Sequence, residues 1–189
     1  VYYPYGGGNL YFGYWWMASN PWQGHNSGVN KISFLLGNSG DMYLEMNGAG
    51  AGPYSLMINL QFPGIDNSQA TPGFGGVGAW VMTPNNDVKI TLGVWHRIEC
   101  LVLESGSTST PNGTIKLWMD NVLIINRTNV KTSSAAFGEF QFAPTWGGNS
   151  GDVKHQNDFF WFDHVRISRL NGNLTSPPPI TPPPNVTVK

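Results

Sequence analysis

Three observations on this chain predict an all-β domain of the sandwich or barrel kind. Apolar residues recur at two-residue spacing in segment after segment, and no window longer than a few residues carries them at helical spacing. Runs such as GNSG, NGAGAGP and TPNND separate the segments, with Gly and Asn tolerating positive φ and Pro ending strand pairing. Many strands between such turns build a sandwich or a barrel.

The expected strands follow in order. The first two are 9–18 (NLYFGYWWMA) and 30–37 (NKISFLLG). In 41–47 (DMYLEMN), Met42, Leu44 and Met46 share one side and Tyr43 and Glu45 the other. In 54–62 (YSLMINLQF), Leu56, Ile58 and Leu60 face inward and Asn59 and Gln61 outward. After 78–83 (GAWVMT) come 95–103 (WHRIECLVL) and 113–121 (GTIKLWMDN), two long strands joined as a hairpin through a polar, Gly-containing loop. There Ile98, Cys100, Val102, Ile115, Leu117 and Met119 point to the core, leaving Arg97, Glu99, Lys116 and Trp118 on the other face. The series closes with 122–128 (VLIINRT), 138–144 (GEFQFAP, Glu139 and Gln141 opposing Phe140 and Phe142) and 158–169 (DFFWFDHVRISR). Segments 63–78 and 145–157 are longer than connection requires, which is where binding loops are carried.

The bulk composition narrows the function classes. A chain of 189 residues with 13% aromatics suits one large domain with a real core. A charged fraction of 11% and a net charge of −1 supply neither a basic surface for nucleic acid nor an acidic tail. Cys100 is the single cysteine, so an internal disulfide and a cysteine-based zinc cluster are excluded, and its position on the apolar side of its strand makes it a small core residue. Val1 opens the chain without an initiator Met or a signal-peptide pattern, and no apolar run reaches transmembrane length, so a mature or excised soluble piece is expected. Sequons at Asn112, Asn126, Asn173 and Asn185 permit N-glycosylation and, with the uncharged polar surface, point to an extracellular setting. The folded domain is expected over residues 1–173. Residues 174–189 (LTSPPPITPPPNVTVK) then form a Pro-rich linker, or a tail whose NVTVK adds a strand to a neighbouring subunit.

The order GVWHRIE, a gap, NGTIKLWMDNVLI and finally FFWFDHVRISR resembles the concanavalin A-like lectin and glucanase superfamily, in particular its laminin G-like and polysaccharide-lyase-like jelly rolls. There a strand opening on Trp-His precedes a hairpin with an Asp-Gly or Asn-Gly turn, and the last strand carries an acidic residue before V-x-I-S. The likeness spans residues 9–170. It implies a two-sheet antiparallel jelly-roll sandwich with one sheet curved into a groove, and a fold by itself does not assign a function.

Such a groove would be lined by Trp118, Tyr43, Arg97, Glu99 and Gln61, with Trp146 and His25 on its rim. Aromatic rings stack on the apolar face of a pyranose while amides and charges hydrogen-bond its hydroxyls. The alternative is that Trp118 and Tyr43 lie under a loop in a satellite cluster and the charges pair with one another. The E-x-D-x-x-E pattern of glucanases is absent, as are a G-x-S-x-G elbow and a phosphate loop. Lyases of similar fold neutralise a uronate carboxylate and abstract the neighbouring proton; Arg97, Gln61, His164 and Tyr43 have suitable types without a recognisable motif. No cofactor is expected. A structural calcium, common in the superfamily, would draw on Asp120, Asn157, Asp158 or Asp163, which show no ordered ligand spacing.

The expected function is therefore an extracellular, non-catalytic carbohydrate-binding or adhesion module whose partner is a glycan. The alternatives are a subunit of an extracellular filament, self-assembling through its terminal segments, and a polysaccharide lyase.

Overall fold

The computed structural model describes residues 2–38, 40–61, 71–72, 79–82, 84, 88–107, 110–132, 137–147 and 151–170. Every regular element among them is a strand: β1 Tyr2–Pro4, β2 Leu10–Ala18, β3 Val29–Gly37, β4 Asp41–Asn47, β5 Ser55–Gln61, β6 Thr71–Pro72, β7 Ala79–Met82, β8 His96–Leu103, β9 Gly113–Met119, β10 Val122–Val130, β11 Phe137–Gln141, β12 Thr145–Trp146 and β13 Phe160–Arg169. They form two antiparallel sheets, one of eight strands in the order β1-β11-β3-β4-β5-β7-β6 with β12 also on β3, and one of five in the order β10-β9-β8-β2-β13. Among the described residues no helix is long and apolar enough to cross a membrane. The Pro-rich tail and the sequons at Asn173 and Asn185 lie outside the described residues, as does most of the 63–78 segment.

The ten expected strands are all present. The three additional ones, β1, β6 and β12, are two or three residues long, too short for an alternation to be read. Their boundaries shift by up to three residues: 138–144 ends at Gln141, 122–128 runs on to Val130 and 158–169 begins at Phe160. The expected strand 113–121 stops at Met119, because Asp120 and Asn121 both take positive φ (51° and 70°) and turn the chain straight into β10. Two successive positive φ values define the hairpin turn whose twist matches its strands, and Asp and Asn tolerate it.

The inner faces of the two sheets make one core. Leu10, Phe12, Tyr14 and Trp16 of β2 and Ile98, Cys100 and Val102 of β8 meet Met42, Leu44, Leu56, Ile58 and Leu60 of β4 and β5. At the side where β13 and β11 approach, aromatic rings dominate: Phe142 lies 4.3 Å from Phe162 and 5.1 Å from Tyr14, and Phe160 stacks on Trp22 at 4.3 Å. Tyr14 Oη and Ser33 Oγ, 3.0 Å apart, satisfy each other across the sheets. Cys100 is fully buried, and burial pushes its thiol up, leaving it inert as a nucleophile.

Two of the register slips bear on the candidate site residues. Between Lys31 and Ser33 the β3–β4 register slips, so Ile32 and Ser33 both face inward and Phe34 moves to the outer face, where strict alternation from Ile32 would have kept it inside. Between Asp163 and Arg166 the β13–β2 register slips as well, and His164 takes φ 47° at an exposed position. The bulge rotates His164 out of the row that strict alternation would give it with Phe160 and Phe162.

Replacing Asn121 by Gly should leave stability within about 1 kcal/mol, whereas Val, which resists positive φ, should cost about 1–2 kcal/mol, as read from urea unfolding midpoints.

Candidate functional site

Because the inner faces meet, the outer faces of the two sheets point away from each other. The five residues expected to line one groove are therefore divided. Trp118, Arg97 and Glu99 belong to the outer face of the five-stranded sheet, and Tyr43 and Gln61 to that of the eight-stranded sheet. Alternation assigned each residue to the outer side of its own strand but carried no information on which sheet the strand joins.

The outer face of the five-stranded sheet carries a packed cluster of its own side chains. Tyr11, Trp15 and Leu101 form a second buried cluster, with Trp95, Leu103, Trp118 and Leu170 packed against it. Arg97 Nε stands 2.9 Å from Glu99 Oε2, and Tyr11 Oη donates to Glu99 Oε1 at 2.9 Å. Glu99 is only 1% exposed, so this ion pair is the means by which a carboxylate is kept inside a satellite core. Here Trp118 and its neighbouring charges are packing, as the alternative reading had it.

The outer face of the eight-stranded sheet has a different character. Strand register lines up three rows across it: Gln141, Phe34, Tyr43 and Asn59; Glu139, Leu36, Asp41 and Gln61; and Thr145, Lys31, Glu45 and Met57. Gln61 Nε2 donates to Tyr43 Oη at 3.2 Å and Asn47 Nδ2 to Glu45 Oε1 at 3.1 Å. The Lys31 ammonium sits 4.8 Å over the Tyr43 ring and 5.8 Å over that of Phe34. Tyr43 is 3% exposed, so its ring is not the open stacking platform the sequence suggested, and what it offers this face is its hydroxyl. Glu45 and Asn59, at 1% and 4% exposure, are buried polar groups outside the core. Asp41 Oδ1, Glu45 Oε2 and Asn59 Oδ1 have no hydrogen-bond partner among the described residues. Burial pushes the Glu45 carboxyl up to about 7, against the opposing pull of the Asn47 hydrogen bond and the Lys31 charge, and burial raises Asp41 as well.

His25 and Trp146 do come together, but as a packed pair. Their rings meet edge to face at 4.7 Å, His25 is 2% exposed, and its Nε2 lies 3.2 Å from Asp152 Oδ2. Trp146 Nε1 donates to the Gln23 carbonyl at 2.6 Å, and the Lys154 ammonium covers the Trp146 and Trp22 rings at 4.7 and 4.8 Å. Asn30, fully buried, ties this end together by accepting from the His25 amide and donating to the Met46 and Gly48 carbonyls. The Trp146 loop thus caps the sandwich, with its strand β12 beside Lys31.

The set Arg97, Gln61, His164 and Tyr43 is not assembled: Arg97 lies on one outer face, Gln61 and Tyr43 on the other, and His164 on the β13 bulge paired with Asp163 at 2.9 Å. Of the residues considered for calcium, Asp120 accepts from the Arg97 amide and stands 2.6 Å from His96 Nδ1, Asp158 accepts from Lys154 and the Gln23 amide, and Asp163 is taken by His164. No group of three His, Cys, Asp or Glu able to hold a metal exists among the described residues. Asn112 and Asn126 are both exposed.

Sequence reasoning placed Glu45, Asn59, Glu139 and Gln141 on outer faces without counting them in the site, and it missed Lys31 and Phe34. The bulge in β3 is what brings Phe34 to this face, and the pattern NKISFLLG carries no sign of it.

No family model matches this chain, and no curated protein matches it. Solved structures do. Alginate lyase Aly36B is 13% identical with a TM-score of 0.58, the match covering 87% of this chain and 70% of that one. A variant of the same enzyme in complex with an alginate trisaccharide gives 10% identity and a TM-score of 0.61 over 87% and 71% of the two chains. Cellulose induced protein Cip1 gives 14% and 0.50 over 89% and 72%. The fold is a two-sheet antiparallel jelly-roll sandwich, as the sequence resemblance implied.

Two predictions separate the faces. Arg97→Ala, which strands the Glu99 carboxylate, should cost about 3–5 kcal/mol in chemical denaturation, and exchanging both partners for apolar residues of similar size should recover most of it. Glu45 holds its proton more tightly folded than unfolded, so its stabilising contribution is full below its unfolded value of 4.5 and is lost as pH rises through about 7. The melting temperature should fall over that window, and the Glu45→Gln protein should lack that component of the fall.

Proposed function

We propose that the chain is a non-catalytic carbohydrate-binding module that holds a polysaccharide against the outer face of the eight-stranded sheet. The observation that carries this reading is the contrast between the two outer faces. One packs an aromatic cluster around an ion pair. The other keeps the partly buried Phe34 ring, the Tyr43 hydroxyl, three amides and buried oxygens without hydrogen-bond partners among the described residues in adjacent rows. Aromatic rings beside convergent hydrogen-bonding groups suit a ligand that is apolar on its ring faces and polar around its rim. The likeness of fold to alginate lyase in complex with an alginate trisaccharide supports the reading. The sequons, two of them on exposed residues, support an extracellular or cell-surface setting, with adhesion as the biological role.

An assembly role is the second reading, favoured by an apolar groove of about 580 Å³ between the edge strands β1 and β13, lined by Tyr2, Tyr3, Phe140, Phe142, Phe162, Val165 and Ile167. Sedimentation of the full chain as a monomer at all concentrations would remove it. A polysaccharide lyase is the third, drawn from the alginate lyase likeness, and incubation with alginate without growth of ultraviolet absorbance from unsaturated uronate ends would remove that.

On a broad glycan array the native chain should bind at least one polysaccharide. Tyr43→Phe and Gln61→Ala should weaken that binding about three- to tenfold, whereas Trp118→Ala, on the opposite sheet, should leave it unchanged. Equal loss in all three variants at unchanged melting temperature would place the ligand elsewhere.

A further inference from the structure

The chemistry of the same face selects among glycans, and this step rests on the reading of that face as the binding site. Three side-chain atoms there are buried without a partner among the described residues: Asp41 Oδ1 and Glu45 Oε2 on β4, and Asn59 Oδ1 on the neighbouring β5. The Asn59 oxygen is an acceptor and those of Asp41 and Glu45 accept when ionised, and Glu45 and Asn59 are more than nine-tenths buried. Buried acceptors without donors are costly, and the group that completes them must bring hydrogens to them.

The charge of the face points the same way. Asp41, Glu45 and Glu139 bring carboxyl groups to it, and Lys31, its nearest cation, is held over the Tyr43 and Phe34 rings. Lys89 reaches only the margin, where its ammonium donates to Ser55 Oγ at 3.2 Å. A polyuronate would bring one carboxylate per sugar, adding acceptors and negative charge where both are already in excess. The hydroxyls of an uncharged sugar donate, and they carry no charge to desolvate.

We infer that this face takes an uncharged, hydroxyl-rich hexopyranose chain and rejects polyuronates, with Asp41, Glu45 and Asn59 as the residues that receive the sugar hydroxyls. The specificity therefore differs from that of the alginate lyase whose fold the chain shares.

The test is isothermal titration calorimetry of the full chain with gluco-hexaoses of β-1,3, β-1,4 and α-1,4 linkage, with β-1,4-mannohexaose, and with an alginate hexamer. Asn59→Ala is measured beside the native chain, and thermal melts verify its fold. The expected result is that at least one neutral hexaose binds, that the alginate hexamer binds about tenfold more weakly or not at all, and that Asn59→Ala weakens the neutral sugar about tenfold. Should Asn59→Ala melt much lower than the native chain, Asn59→Leu, of similar size and without an acceptor oxygen, takes its place and should weaken the neutral sugar to the same extent. If the alginate hexamer binds as well or better and Asn59→Ala weakens it, the site stands and the inferred preference is overturned. Neutral binding indifferent to Asn59 would overturn the assignment of hydroxyl acceptors, and no binding by any hexamer would remove the site itself.

Discussion

The contact between the inner faces of the two sheets is the interaction on which the rest of the structure depends. Leu10, Phe12, Tyr14 and Trp16 of β2 are at most 2% exposed, and they meet a facing row of Met, Leu and Ile from β4 and β5. Aromatic side chains bury large areas each, so this single layer supplies most of the apolar burial available to a chain with so few charges. Once both inner faces are committed, a residue between two core positions looks outward except at a bulge, and the two sheets look outward in opposite directions.

The two outer faces then resolve the same problem differently. Each carries a buried glutamate on an otherwise alternating strand. Glu99 is compensated by Arg97 and the Tyr11 hydroxyl, which makes it part of a closed packing cluster. Glu45 has an amide on one oxygen and nothing on the other among the described residues, so burial keeps its proton on to about pH 7. A satisfied carboxylate rigidifies its surroundings, whereas an unsatisfied one in a row of amides invites a donor from outside. On the proposed reading, that difference sets the binding face apart from the packed one.

The end of the sandwich near Asn30 fixes the position of the candidate face. Asn30 joins the backbone of the His25 loop to the β4 end, and β12 lies along the same strand, so Lys31 is held between a capped end and Glu45. His25 and Trp146 stabilise this corner. Their loop composition had the character of a binding rim, because polar Gly-containing loops with a Trp look alike in sequence whether the ring is presented or folded back.

The sequence by itself determined the strands, their inward and outward residues, the burial of Cys100 and the sandwich class, since each follows from two-residue periodicity and turn chemistry, which are local. It also determined that the outer faces hold Tyr43, Glu45, Asn59 and Gln61 on some strands and Arg97, Glu99 and Trp118 on others. The tertiary structure alone decided that these are two faces and not one, since sheet membership depends on pairing between distant segments, such as β2 with β8 and β11 with β3. It alone decided that Phe34 faces out and His164 leaves its row, because a bulge is set by the register against a partner strand and leaves no mark on the spacing of the strand that carries it.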